Sequence, residues 1–92
     1  MTGAVFHPGH DEWHGQTVVV YTHGSKTVIG RWDSISSGQV IMLDAAVHVE
    51  GQDEDDLKTW VSKIQTYGIP VEHPSLSFPE DDVTSIARLR DA

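Results

Sequence analysis

Three apolar runs fill the first half of the chain: Thr17–Thr22, Thr27–Ile35 and Gln39–Val49. Short glycine-bearing stretches separate them. Valine, isoleucine, threonine and tyrosine dominate the runs, and β-branched and aromatic side chains pack well on a pleated backbone. Runs of this length with turn residues between them predict an antiparallel meander. In the first run Val18 and Val20 fall on one face, Val19 and Tyr21 on the other. His23-Gly24-Ser25 then turns the chain, with Gly24 as the expected residue at positive φ. Gly30 interrupts the second run two positions before Trp32. A glycine inside a strand marks a bulge or a sharp bend, which a small barrel needs. In the third run Ile41, Leu43, Ala45, Val47 and Val49 form an almost wholly apolar set and are expected to face the core. Val40, Met42, Asp44, Ala46 and His48 are left to the other face, with His48 exposed or at an interface.

The period changes after Glu50. Asp53-Glu54-Asp55-Asp56 is expected to open a helix, because acids suit the positive end of the helix dipole. Leu57, Trp60, Val61, Ile64 and Tyr67 recur at helical spacing and form one apolar stripe. Glu54 and Lys58 stand four apart in the favourable order. Gly68 and Pro70 end the helix. Two short strands follow, Ser75–Phe78 and Val83–Leu89, joined by Pro79 and a tight Glu80-Asp81-Asp82 turn. The predicted fold class is mostly β: a five-stranded, strongly bent antiparallel SH3-like barrel. An amphipathic helix, about 53–67, is inserted between strands three and four. Residues 1–14 read as an N-terminal arm or short helix, and 15–92 as one barrel domain with a helical insertion at 51–70.

Composition narrows the function classes. Ninety-two residues make one domain. With no cysteine there is no disulfide framework or thiolate site. A formal charge of −8 argues against broad attraction to nucleic acid or anionic membranes. It leaves room for a local basic patch built from Lys26, Arg31, Arg88 and Arg90. No apolar stretch reaches membrane-span length, and the first fifteen residues lack the pattern of a signal peptide, so the expected location is cytoplasmic and no membrane partner is expected. No nucleophile elbow, phosphate loop or dinucleotide fingerprint occurs, so neither catalysis nor a cofactor is expected.

Two groups of residues invite chemistry. His7, His10, Asp11 and His14 cluster in the N-terminal arm. His10 and His14 are four apart and would share a helical face, a spacing that suits zinc or nickel. Pro8-Gly9 cuts His7 off from that turn, and the preferred reading is a histidine-rich surface arm. Among the tryptophans, Trp32 and Trp60 read as core. Only Trp13, in the arm, is placed to be a surface platform for a stacked base.

The order of elements resembles the Sm and Sm-like family of ring-forming barrels. Gly15-Gln16-Thr17-Val18-Val19-Val20 looks like that family's opening strand. Gly24 stands at its first turn glycine, and Gly30-Arg31-Trp32 is similar to its Gly-x-Leu element. Leu43-Asp44-Ala45-Ala46-Val47 looks like the close of its first motif. Phe78-Pro79-Glu80-Asp81-Asp82-Val83-Thr84-Ser85-Ile86 is similar to the turn between its last two strands. The resemblance implies a homo-oligomeric ring, of about five to seven copies in that family, that binds RNA. Its base-reading sets do not carry over. The family's Asp-x-x-Asn-type loop is replaced by Ser34-Ile35-Ser36-Ser37-Gly38-Gln39, and its Arg-Gly pair by Phe78-Pro79. The remaining candidates for nucleic acid are Lys26, Arg31, Ser36, Ser37, Gln39 and Arg88. Subunit contacts are expected at Leu76, Phe78, Val83 and Ile86, on two edge strands whose backbone groups need partners. The competing expectation, consistent with the acidic charge, is a protein-binding or structural ring with no nucleic-acid role.

Overall fold

The computed structural model describes residues 13–92. Five strands and one helix run in the order β1 (Thr17–Thr22), β2 (Lys26–Ser36), β3 (Gln39–Val49), α1 (Leu57–Tyr67), β4 (His73–Pro79) and β5 (Val83–Arg88). One antiparallel sheet holds all five strands, in the spatial order β4-β3-β2-β1-β5. The fold is the expected mostly β, strongly bent architecture with the helix between strands three and four.

The β2–β3 hairpin closes on Ser37 and Gly38, both in the left-handed region at φ 52° and 76°. Two such residues make the tight turn whose twist matches the flanking strands. Gly24 differs from expectation. Its φ is not positive, and a Cβ there would meet nothing within 4 Å. The Ser25 carbonyl accepts from Glu50 N, and His23 N donates to the Asp82 carbonyl, so neighbouring strands anchor this turn.

Two bulges bend the sheet. One leaves Asp33 unpaired between Trp32 and Ser34. The other inserts Asp44, at φ 52°, between Leu43 and Ala45, opposite Gly30. The second corrects the expected core face of β3. Before the bulge, Val40 and Met42 are fully buried while Ile41 and Leu43 are half-exposed. After it, Ala45 and Val47 join the same core. One extra residue shifts a period-2 pattern by one, so the inward set is Val40, Met42, Ala45 and Val47.

The bent sheet carries a core on each face. Val18, Val20, Val28, Trp32, Val40, Met42, Ala45 and Val83 fill the concave side. Val19 and Ile29 face the other way and pack under Val61 and Ile64 of α1. The helix also corrects the expectation for His48, which is 1% exposed. Its ring lies 5.2 Å from that of Trp60, and Nε2 lies 2.8 Å from the Asp55 carbonyl. The outward face of β3 is therefore a second interior, because α1 covers it.

α1 starts at Leu57, later than the acidic run suggests. Asp56 is its N-cap, accepting from Thr59 N at 2.8 Å. Asp53 instead accepts from Val49 N at 2.6 Å, and Asp55 pairs with Lys63 at 2.9 Å. Glu54 precedes the helix, so the expected helical pair with Lys58 is not formed. Gly68, at φ 95°, ends the helix, and its N–H reaches the Ile64 carbonyl. Tyr67 leaves the expected apolar stripe and is 84% exposed.

Candidate functional site

The β2–β3 turn and the β4–β5 connection meet at one end of the sheet. Gln39 pairs with both Ser36 and Pro79, and Glu80 N donates to the Gly38 carbonyl at 2.9 Å. Ser36, Ser37 and Gln39 are exposed there. Next to them, Glu80-Asp81-Asp82 forms one turn of 3-10 helix. The Glu80 Oε2 atom is buried without a hydrogen-bond partner. This end offers hydroxyl and amide groups beside carboxylates.

Lys26, Arg31 and Arg88 of the candidate basic patch lie apart. Lys26 begins β2, at the end opposite Ser36, and pairs with Val49. Arg31 pairs with Thr17, and Arg88 with Val18. Thr17 and Val18 are adjacent, and cross-strand partners share a face, so Arg31 and Arg88 stand on opposite faces of the sheet. Arg31 faces Asp44 at 3.9 Å. The Arg88 guanidinium lies over the Trp13 ring, 5.6 Å from its centroid. Trp13 packs against the concave core, so its ring is a seat for an arginine instead of the expected open platform.

The expected interface strands are the two edges of the sheet. Among the described residues β4 pairs only with β3, and β5 only with β1. Leu76, Phe78 and Ile86 are half-buried against the concave core, and Val83 is 9% exposed. These four side chains point largely inward, so the edges present backbone groups with the polar Ser75, Ser77, Thr84 and Ser85 beside them. Beneath β4 a cleft of about 620 Å³ reaches Val28, Val47, Leu76 and Phe78, with Lys26 and Asp82 on its lining.

Of the expected metal pair, His10 lies outside the described residues. His14 is exposed, with Nδ1 2.6 Å from the Asp33 carbonyl. Among the described residues no three metal-ligating side chains gather, and no helix is long and apolar enough to cross a membrane. Two ionisable groups around α1 are shifted. The hydrogen bonds from Thr59 hold the Asp56 carboxyl below its ordinary range. The hydrogen bond to Asp55 raises the Lys63 ammonium above its own.

Sheet order, the bent hairpin and the inserted helix together define the Sm-like fold. An Sm protein from Pyrococcus abyssii, solved in complex with a uridine heptamer, is similar with a TM-score of 0.56 at 14% identity, covering 84% of this chain and 87% of that one. The LSM domain of Dm EDC3, Enhancer of Decapping 3, is similar with a TM-score of 0.52 at 16% identity, covering 92% of this chain and 67% of that one. No protein-family model matches the sequence, and no curated protein matches it.

Sequence reasoning missed three features of this surface. The proximity of Glu80 to the Ser37-Gly38 turn, the seat of Arg88 on Trp13 and the burial of His48 each join residues far apart in the chain. No local pattern signals them.

Proposed function

We propose that this chain is a non-enzymatic Sm-like module that assembles into a homo-oligomeric ring and binds single-stranded RNA. The observation that supports assembly is the pair of edges, β4 and β5, left unpaired among the described residues at opposite sides of a single sheet. Pairing β4 of one copy with β5 of the next satisfies both sets of backbone groups and is head-to-tail, which closes into a ring when the rotation allows. Five to seven copies, as in the resembled family, is the expected range. Native mass spectrometry tests the ring: a single closed oligomer supports it, and a clean monomer at tens of micromolar overturns it.

RNA is the ligand because the structurally similar Pyrococcus Sm protein was solved with a uridine heptamer. The exposed Ser36, Ser37 and Gln39 turn supplies hydrogen-bonding groups to a base, while Lys26, Arg31 and Arg88 supply dispersed positive charge. Binding of a labelled uridine heptamer at low salt, weakening steeply as salt rises, supports this reading. No binding at 20 mM salt leaves the second reading, a protein-binding or structural ring. That reading is favoured by the Glu80-Asp81-Asp82 carboxylates beside the turn, which repel phosphate.

A further inference from the structure

The β2–β3 turn is rimmed by carboxylates, whereas the far end of β5 and the turn after it carry two arginines and a single aspartate, Asp91. All six lysines and arginines lie among the described residues. Arg31 faces Asp44, and Lys63 is bonded to Asp55. Arg88 and Arg90 have no carboxylate within 4.0 Å among the described residues. They line one cavity of about 290 Å³ together with Gln16, Thr17, Gln65 and Leu89. These residues come from the start of β1, the last turn of α1, the end of β5 and the turn that follows it.

We propose that Arg88 and Arg90, with Gln16, Thr17 and Gln65, form a phosphodiester site for a single-stranded nucleic acid, separate from the β2–β3 turn. The proposal rests on the RNA reading above and adds a location to it.

Three observations carry it. The first is preorganisation. The Arg88 guanidinium is already seated over Trp13. Trp13 is itself held by core packing and by Gln16 N donating to its carbonyl at 2.9 Å. A seated guanidinium loses less rotamer freedom when it takes a ligand. The second is a fixed wall. Gln65 Nε2 donates to the Leu89 carbonyl at 2.8 Å and to the Ala92 carbonyl at 3.1 Å. This bond ties α1 to the turn that carries Arg90, and the Gln65 side-chain oxygen remains as an acceptor. The third is chemistry. Guanidinium forks match the oxygens of a phosphate, while the neutral amides and the Thr17 hydroxyl suit a sugar or a base edge. The volume is at the small end of ligand pockets, so it suits one phosphate with its flanking sugar. A strand repelled by the acidic remainder of the surface is steered to this patch.

Fluorescence anisotropy with a labelled ten-nucleotide uridine RNA, from 20 to 200 mM salt, tests the site. Two variants are compared with the native chain: Arg90→Gln, which removes an exposed guanidinium, and Arg88→Gln. Circular dichroism is run on both, because Arg88 contacts Trp13. Arg90→Gln is expected to weaken binding several-fold. It should also flatten the slope of log affinity against log salt by about 0.7, the loss of one phosphate contact on a single strand. The Ser37→Ala/Gln39→Ala chain, by contrast, removes neutral base-contacting groups and is expected to lose affinity with no change of slope. If the native chain binds RNA but the folded Arg90→Gln chain keeps both affinity and slope, the site is overturned while RNA binding stands. If the native chain binds no RNA, both fall. Binding of a phosphopeptide through Arg90 without RNA binding likewise overturns it in favour of a protein partner.

Discussion

At Gly30 an added side chain would be crowded. A Cβ placed there would lie 3.0 Å from the Ala45 Cβ and 3.0 Å from the Leu43 carbonyl oxygen. One of those obstacles is backbone, so relief requires the bulge at Asp44 to move. Gly30→Ala is expected to cost about 1–3 kcal/mol, read as a lower urea midpoint with an unchanged slope. Gly24→Ala is the control. With open space and no positive φ it should stay within about 0.5 kcal/mol. Asp44 is the partner in this bend and occupies a left-handed conformation that β-branched residues resist. Asp44→Val should therefore cost about 1–2 kcal/mol, and Asp44→Gly should be close to neutral, because the exposed Arg31 contact it removes is weak.

The inserted helix is held at one end by a cap and along one face by aromatic packing. The Asp56 carboxylate caps the helix most strongly when ionised, and its folded-state pKa is depressed by the Thr59 hydrogen bonds. A depressed carboxylate contributes stability above its unfolded pKa and loses it as pH falls through the folded value. The melting temperature of the native chain should thus exceed that of Asp56→Ala at pH 6. The gap should narrow on acidification below about pH 4, as the charge-assisted part of the cap is lost. An undiminished gap at pH 2 would mean that the carboxylate charge is not what caps the helix. On the packed face, Trp60→Ala uncovers His48. It should cost about 2 kcal/mol, below the range for a fully buried tryptophan because Trp60 is half-exposed. The helix was legible because Leu57, Trp60, Val61 and Ile64 repeat at 3.6 residues and Gly68 stops them. Its start was less so: four consecutive acids look alike in sequence, yet Asp53 binds β3, Asp55 binds Lys63 and only Asp56 caps.

For the whole molecule, the edges of β4 and β5 are the surfaces on which assembly turns. The proposed ring places these edges against each other, with Ser77 and Ser85 exposed beside the join. Ser77→Lys/Ser85→Lys puts like charge on both edges and should shift native mass spectra toward monomer. Ser77→Lys/Ser85→Glu should restore the oligomer. Equal spectra from both would count against edge pairing. Strand number, helix position and sheet meander could be read from the chain itself, because side-chain alternation, helical spacing and turn glycines are local properties. The resemblance to ring-forming barrels added the topology. Three-dimensional packing alone decided which face of β3 is interior, since one left-handed residue at Asp44 reverses an alternation that looks continuous in sequence. It alone decided that His48 is buried, since the helix that covers it comes later in the chain. It also set the arginines apart, Arg31 on one face of the sheet and Arg88 with Arg90 at the end of β5. Charge grouping depends on strand register and on where the chain folds back, and neither is a property of neighbouring residues.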